Sequence, residues 1–302
     1  DLGRRHRRED VVRPYAVRRS FAVLILCVLC GGCSPDKAPE TPVESAQRVI
    51  TFAPHLAEMM FAAGAGELLV GVSAWSDYPE EVLELPEVGD AFTVDQEQLA
   101  LLQPDLVLVW ESGMPAHTID ELRQRGYHVE SIRTRGLDDV VAAMRRIGEL
   151  TGREGTANRA ADEFGAVFDR LREQYRDADP IDVFFQISTR PLYTVNRDHF
   201  ISEIIAICGG RNIFADLDGF APSVDVEAVL DRDPEIMLAG ANLGDDAFAE
   251  WRRWPELAAG RYGNQFLLPD ETIGRPSPRL TLAGQSVCAA LEQARENRAA
   301  AS

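Results

Sequence analysis

Basic residues are scarce in this sequence of 302 residues, in which 31 Lys and Arg stand against 49 Asp and Glu. The formal net charge is −18. Binding to phosphate backbones requires Lys and Arg gathered on one face, so this balance argues against nucleic acid as a partner. Because 45% of the residues are hydrophobic, the chain can still form one or two globular domains with substantial cores.

A long apolar run is also missing. The run from Phe21 to Cys30 has ten residues, too few to cross a bilayer as a helix. It lies within residues 1–32, which hold seven Arg and three acidic residues and carry +4, leaving −22 for the rest of the chain. A basic lead, a short apolar run and small residues before a break are typical of an export signal. We therefore predict that residues 1–32 are a signal peptide.

Cys33 follows two glycines, and this segment resembles the bacterial lipobox, in which the chain is cut before a Cys that becomes diacylated. Cys30 stands where Leu is usual, so plain cleavage and release, or retention as an anchor, stay open as alternatives. Residues 33–46 are polar and Pro-rich without apolar periodicity, as in a flexible tether. We expect a periplasmic protein held to a membrane by a lipid on Cys33.

Cysteine, histidine and catalytic motifs are few in the remaining chain. Cys208 and Cys288 form an even pair, which in an oxidising compartment could be a disulfide or two buried thiols. The four His beyond residue 32 are not closely paired, which argues against a His-based metal site. The sequence has no nucleotide-binding Gly fingerprint, P-loop, metalloprotease motif or nucleophile elbow. The sequence therefore shows no catalytic signature.

Strand-like and helix-like patterns alternate twice along the chain, which predicts parallel βαβ units in an α/β fold. In residues 47–150, strands are predicted at 48–52, 68–72, 105–110 and 127–132, and helices at 56–63, 96–102, 118–125 and 137–151. In residues 181–296, strands are predicted at 181–187, 235–239 and 264–268, and helices at 199–208, 226–230 and 278–293. We therefore expect an N-terminal and a C-terminal α/β lobe.

A long helical pattern lies between the two lobes. Its apolar stripe runs from Ala157 to Tyr175, about 30 Å of helix, which is long for a connection inside one lobe. We predict a linking helix over residues 154–177. Ligands of open α/β sheets bind beyond the carboxyl ends of the strands, so two such lobes predict a ligand cleft between them.

Aromatic and polar residues follow the predicted strands. His55, Trp75, Trp110 and Tyr193 each come shortly after a strand. Any one of them could be ordinary packing, but their shared location would give flat apolar walls suited to a large planar ligand. His55 could be a residue of the helix start, or its imidazole could face the ligand and coordinate a metal in it.

A rigid loop precedes the last predicted helix. Pro276 and Pro278 fix the backbone around Arg275, whose guanidinium could reach an amide or a carboxylate of a ligand. The alternative is that Arg275 ties the loop to the fold, a role that also fits Arg279.

Several segments together carry a family resemblance: RVITFAPHLAEMMFAAGAG, LVGVSAWSDYP, LLQPDLVLVW, EIIAICGGRNIFAD, VLDRDPEIMLAG and RPSPRLTLAGQSVCAAL. In order and spacing, over about residues 47–293, they resemble the cobalamin-binding proteins of vitamin importers. These proteins belong to the helical-backbone group of periplasmic binding proteins, which serve ABC importers for cobalamin, haem and iron siderophores. The resemblance implies two Rossmann-like lobes joined by a single rigid helix, with the ligand in the cleft between them.

The resemblance also implies site residues. Positions that match the family's corrin contacts are Ala53, Pro54, Trp75, Trp110, the 187–193 loop with Tyr193, the 220–222 segment with Phe220, Glu271 and Arg275. Two cleft Trp of the family are replaced by Ala91 and Ala221, with Phe92 and Phe220 beside them, and Glu271 stands where the family has Asp. The family's disulfide falls on Cys208 and Cys288. Its importer-docking carboxylates fall on Glu97 and Glu227, which could equally be solvated surface residues.

We therefore predict a monomeric receptor that performs no chemistry and carries cobalamin or a related corrinoid to the permease dimer of an ABC importer, without a catalytic cofactor or resident metal. His55 is a candidate axial ligand of the cobalt. One alternative keeps the fold and changes the ligand to haem or a ferric siderophore. Siderophore binding would favour several Arg in the cleft, and the obvious candidates are only Arg190 and Arg275. Another is a tetrapyrrole metal chelatase, which also uses two α/β lobes around a macrocycle.

Overall fold

The fold is described from a computed structural model over residues 45–301. The predicted signal peptide, Cys33 and nearly all of the predicted tether lie outside these residues. Within them, no helix combines the length and the apolar character needed to cross a membrane.

Strands and helices alternate through the described chain. The strands are β1 (Val49–Thr51), β2 (Leu69–Val72), β3 (Leu106–Trp110), β4 (Val129–Ile132), β5 (Ile181–Gln186), β6 (Ser188–Thr189), β7 (Leu192–Tyr193), β8 (Gly210–Asn212), β9 (Ile236–Gly240) and β10 (Gln265–Leu268). The helices are α1 (Pro54–Ala62), α2 (Gln96–Leu102), α3 (Ala116–Gln124), α4 (Leu137–Thr151), α5 (Glu154–Gln174), α6 (Phe200–Ile207), α7 (Val226–Arg232), α8 (Ala258–Arg261), α9 (Asp270–Ile273) and α10 (Leu280–Ala300).

Two four-stranded parallel sheets confirm the predicted α/β class. The first has the order β2-β1-β3-β4 and the second β10-β9-β5-β8, and we call the units built on them the first and second lobes. The strand order reverses between β1 and β3 in the first sheet and between β5 and β9 in the second. Loops that leave such neighbouring strands in opposite directions open a crevice at the carboxyl edge. Each lobe therefore has one crevice.

Apolar sequence explains the central strands. β3 is buried from Leu106 to Val109, as a strand covered by helices on both faces must be. Its neighbour helix α4 buries Val140, Met144 and Ile147 at the three- and four-residue spacing of one helix face. α4 ends at Gly152, which takes the left-handed conformation (φ +69°) that a residue without a Cβ adopts at little cost.

Helix α5 lies between the two sheets in sequence and packs against α4 and α1 on one side and α6 and α10 on the other. Two glycines let neighbouring helices approach α5 closely, because a side chain at either position would clash with it. A Cβ on Gly284 of α10 would lie 2.7 Å from the Phe168 ring of α5, and a Cβ on Gly148 of α4 would lie 2.4 Å from Ala157 of α5. α5 ends three residues before the predicted boundary at 177, because Tyr175 leaves helical geometry ahead of Pro180. We retain the linking role of this helix as a proposal.

Other differences from the predicted elements have local causes. α1 begins at Pro54, because proline fits the first helical turn, where no amide donor is needed. β8 is absent from the predicted elements, since Gly209-Gly210 reads as a helix stop and Arg211-Asn212 is polar. α10 extends to Ala300, beyond the predicted end at 293, because the polar residues that follow are good helix formers.

The predicted pairing of Cys208 with Cys288 is confirmed. Cys208 caps the end of α6 and Cys288 lies in α10, and a disulfide joins the two helices inside the second lobe. Both residues are buried. The bridge closes a loop of 80 residues, so it limits the conformational freedom of the unfolded second lobe.

Replacing both cysteines by alanine should lower the free energy of unfolding by about 3–4 kcal/mol, because the cross-link no longer restricts the unfolded chain. Urea denaturation followed by circular dichroism measures this difference. The oxidised and reduced wild-type proteins form the matched comparison. Equal midpoints for oxidised and reduced protein would contradict the expectation.

Candidate functional site

A cavity of about 350 Å³ lies at the carboxyl edges of the two sheets. Residues of both lobes line it: Trp110, Phe185, Gln186, Ile187, His199, Phe200, Ile201, Gly240, Asn242, Ile273, Gly274 and Arg275. Trp110 ends β3, and Gln186 and Gly240 end β5 and β9, so the lining comes from the strands at which the order reverses. This is the position at which open α/β sheets bind ligands.

Two of the predicted contact residues are aromatic side chains left in solvent. Trp75, after β2, is 79% exposed, and Phe92 is 78% exposed. Large aromatic groups are costly to leave in water, and exposed apolar surface is one of the features of binding sites. Tyr193 at the end of β7 is also exposed.

The other predicted contact residues are less accessible. Ala53 is buried and Pro54 is half-buried at the start of α1, whereas Glu271 is exposed on α9. Phe220 is half-buried and stacks on the His199 ring, with centroids 4.2 Å apart, while the Arg135 guanidinium of the first lobe lies 6.0 Å from its centroid. Of the predicted residues, Trp110, Arg275 and Ile187 of the predicted 187–193 loop line the cavity directly.

His55 packs edge-on against Trp110, with ring centroids 5.0 Å apart. It is 3% exposed, and Trp110 lines the cavity whereas His55 does not. Burial, together with the smaller effect of the Arg275 charge, lowers the pKa of His55 to about 3. The imidazole is therefore neutral near pH 7. Among residues 45–301, His55 Nε2 and Trp110 Nε1 are buried without a hydrogen-bond partner.

His199 is a second neutral imidazole at the cavity. Its Nδ1 accepts a hydrogen bond of 3.2 Å from the Ile201 amide and caps the start of α6. Burial lowers the pKa of His199 to about 3. No group of three or more His, Cys, Asp or Glu side chains in the described part of the chain could hold a metal ion.

Arg275 and Arg279 extend from the loop before α10 to two carboxylates of the first lobe. Arg279 Nε and Nη2 donate to Glu58 Oε2 and Oε1 at 2.9 and 2.6 Å. Arg275 donates to both oxygens of Asp77, with 3.0 Å for the Nη2–Oδ2 bond, and lies 3.4 Å from Glu58 Oε1. The bonded guanidinium of Arg275 holds the pKa of the Asp77 carboxyl below its usual range. We call these four residues the interlobe ion cluster.

The sequence pattern does not single out Glu58 or Asp77. A signal for Glu58 is nevertheless present, because it is the only charged residue in the apolar helix sequence PHLAEMMFA. An acidic residue on the buried face of a helix requires a partner. Its partners are more than 200 positions away in the chain, so the sequence alone does not identify them.

Glu97 and Glu227 occupy equivalent positions in an internal repeat. The segment TVDQEQLALLQPDLVLVW (93–110) matches SVDVEAVLDRDPEIMLAG (223–240) without a gap. In both copies an Asp caps a seven-residue helix: Asp95 accepts from the Gln98 amide at 2.9 Å, and Asp225 accepts from the Ala228 amide at 2.7 Å. Both Glu are exposed in the first helical turn. The repeat thus presents one carboxylate on each lobe in the same local setting.

Comparisons with a family model and with individual proteins point to the same family. The family model described as "Periplasmic binding protein" matches residues 49–272. A vitamin B12-binding protein of Vibrio cholerae is 34% identical over 252 residues, covering 83% of this chain and 91% of that protein. One from Pectobacterium carotovorum is 35% identical over 271 residues, covering 89% of this chain and 95% of that protein.

Solved structures of periplasmic binding proteins also have the same fold as this chain. The crystal structure of the periplasmic vitamin B12-binding protein of Vibrio cholerae superimposes with a TM-score of 0.76 at 34% identity, covering 83% of this chain and 98% of that one. A periplasmic haem-binding protein from Roseiflexus in its apo form gives a TM-score of 0.71 at 24% identity, covering 83% and 99%. The second likeness shows a shared fold only.

The free energy of unfolding should fall as the pH drops from 7 to 5. The unfolded chain protonates His55 and His199 near pH 6.5, whereas the folded chain leaves both neutral down to about pH 3. Acidification therefore favours the unfolded state, by about 1.4 kcal/mol per pH unit for each histidine once the pH is below 6.5. Urea denaturation at pH 7, 6 and 5 measures the slope.

His199→Gln should remove about half of this slope, because one of the two titrating groups is gone. The matched control is His117→Gln, which changes an exposed imidazole on α3 and should leave the slope as in the wild type. A wild-type stability that does not change between pH 7 and 5 would refute the assignment of both histidines as buried and neutral.

Proposed function

The chain belongs to the periplasmic binding protein family, and we propose that it binds cobalamin or a related corrinoid and delivers it to an ABC importer. The observation that supports this most is the cavity at the two carboxyl edges, in a chain that also exposes Trp75, Phe92 and Tyr193 and is 34% identical to a vitamin B12-binding protein over most of its length. The family consists of binding proteins, so the chelatase alternative is set aside.

The aromatic residues would hold the macrocycle. Trp75, Phe92, Trp110 and Phe220 would supply flat apolar walls, with Phe92 and Phe220 serving where relatives use neighbouring Trp. Ala53 and Pro54 would contact the corrin edge at the start of α1, and Tyr193 would contact it from the second lobe. Burial of exposed aromatic area is the main source of affinity for such a ligand.

The polarity of the cavity favours a corrinoid over an anionic chelate. The charge of Arg275 is shared with Asp77 and Glu58, and the two buried imidazoles are neutral near pH 7. The other polar lining includes the Asn242 side-chain amide and the backbone at Gly240 and Gly274, whereas the buried Gln186 amide is already bonded to Ala247 and Trp251. Corrinoids carry peripheral amides, which pair with such groups, whereas haem carboxylates and acidic siderophores require cations without a partner. Arg190, the other candidate cation, lies 3.8 Å from Glu250.

Glu271 and Arg275 would complete the polar contacts. Glu271 is exposed on α9 and can accept hydrogen bonds from ligand amides. Arg275 can donate from the cavity wall while it remains bonded to Asp77. His55 is 3% exposed, packs edge-on against Trp110 and does not line the cavity, so direct cobalt coordination by His55 would require neighbouring side chains to move.

Glu97 and Glu227 would dock the receptor onto the importer. The internal repeat gives each lobe one carboxylate in the same helical setting, as a permease dimer with two equivalent basic surfaces would require. The net charge of −22 beyond residue 32 would steer the receptor toward such surfaces. A signal peptide, a lipid on Cys33 and a monomeric state complete the proposal.

Titration of residues 45–302 with cyanocobalamin by calorimetry tests the ligand. We expect saturable 1:1 binding at micromolar concentration or below, and displacement by neither haem nor a ferric siderophore. Absence of binding at micromolar cyanocobalamin, or tighter binding of haem, would exclude the corrinoid assignment.

Trp75→Ala and Phe92→Ala should each weaken cobalamin binding about 10- to 100-fold, because each removes a large apolar contact worth about 1.5–3 kcal/mol. The same calorimetric titration measures the effect. The matched control is Leu83→Ala, which removes an exposed apolar side chain (64% exposed) away from the strand ends. Wild-type affinity in both aromatic variants would remove these residues from the site.

Glu97→Lys and Glu227→Lys should each weaken the binding of the cobalamin-loaded receptor to the importer at least tenfold, because each places a lysine against a basic surface of the permease. Binding to the importer in detergent or nanodiscs measures the effect. Cobalamin affinity of the receptor alone should not change. Glu154→Lys, which reverses an exposed carboxylate in the first turn of α5, is the control. Unchanged complex formation by the double variant would refute the docking assignment.

A further inference from the structure

The interlobe ion cluster contains a carboxylate that solvent hardly reaches. The Glu58 side chain is 2% exposed, lies on α1 of the first lobe, and accepts two hydrogen bonds from Arg279 of the second lobe. Arg275 lies 3.4 Å from the same carboxylate. An ionised group this deeply buried is tolerated only when it is paired. Separation of the lobes at this point would leave the Glu58 carboxylate and the Arg279 guanidinium without their partners.

Arg275 links this cluster to the backbone of Trp75. Its Nη2 donates to the Trp75 carbonyl at 3.2 Å and to Asp77 Oδ2 at 3.0 Å. The Arg279 guanidinium lies 4.1 Å from the centroid of Tyr78, which belongs to the same loop. Three successive contacts therefore attach the loop after β2, in the first lobe, to two arginines of the second lobe.

Trp75 depends on such support. Its backbone is left-handed (φ +67°), a conformation that side chains with a Cβ rarely adopt. Its indole is 79% exposed, so the side chain has little packing of its own to hold it in place. Strained conformations persist where surrounding contacts fix them, and they concentrate at ligand sites. Besides a few bonds within the first lobe, the contacts that fix Trp75 come from Arg275.

We infer that Glu58 is a positioning residue for the ligand site: by fixing Arg275 and Arg279 it sets the width of the cleft and holds the Trp75 loop in its binding geometry. Glu58 lies too deep to contact a ligand itself. The inference rests on the proposed function only in assigning Trp75 to the ligand.

The test uses fluorine NMR on residues 45–302 labelled with 5-fluorotryptophan, without ligand. The four Trp of the chain give four resonances, and Trp75→Phe identifies one of them. Glu58→Gln keeps the side-chain shape and removes the charge, so the Trp75 resonance should shift or broaden while those of Trp251 and Trp254 in the second lobe stay in place. Cobalamin affinity should fall about tenfold.

The matched control is Glu67→Gln, which removes a carboxylate bonded to Arg153 at 2.5 Å and leaves the interlobe ion cluster intact. It should change neither the Trp75 resonance nor the affinity. A second variant, Asp77→Asn, weakens the hold of Arg275 on the loop at a side chain that is 53% exposed, where substitution does not threaten folding. It should shift the Trp75 resonance as Glu58→Gln does.

A Trp75 resonance that matches the wild type in folded Glu58→Gln would overturn the inference, whatever Asp77→Asn shows. If Glu58→Gln does not fold, an unchanged resonance in Asp77→Asn and Arg279→Lys would overturn it instead. The outcome is separable from that of the proposed function. A displaced Trp75 resonance in a protein that never binds cobalamin would uphold the link from Glu58 to Trp75 and reject the ligand.

Discussion

A buried carboxylate must be paired, and in this protein Glu58 is paired across the boundary between two lobes. Each lobe has its own sheet, but one hydrophobic cluster contains residues of both lobes, and so does the cavity lining. Polar contacts between the lobes include the pairing of Glu58 with Arg275 and Arg279 and a hydrogen bond from the Leu137 amide to Glu203. Of these contacts, the interlobe ion cluster reaches the cavity itself, because Arg275 also lines it.

The same cluster explains why the charge of Arg275 at the cavity is compensated. Two arginines meet two carboxylates, and burial keeps His55 and His199 neutral. Strong charges therefore stabilise the architecture and leave amides, backbone groups and aromatic faces to meet the ligand. A site of this kind selects by shape and by hydrogen bonds between neutral groups, so its affinity should depend little on ionic strength, in contrast to the docking surface.

Sequence patterns predict those helices and strands whose bounds depend on residues within or next to the element itself. α4 has the predicted bounds because its apolar stripe ends at a glycine, and α2 has them because an aspartate cap precedes it and Pro104 follows it. β8 and the β6–β7 hairpin are not predicted because their strands have only two or three residues, too few to show a pattern, and pairing with neighbouring strands defines them. The cleft follows from strand order, but the partners of Glu58 lie more than 200 positions away in the chain and emerge only from the folded chain.

The repeated segments have a geometric consequence for the docking role that we propose. Each places its carboxylate by local rules, an aspartate cap at the start and a left-handed residue, Gln103 or Asp233, at the end. The distance between Glu97 and Glu227 therefore depends on the separation of the two lobes. A permease that binds both carboxylates would be sensitive to any change in that separation.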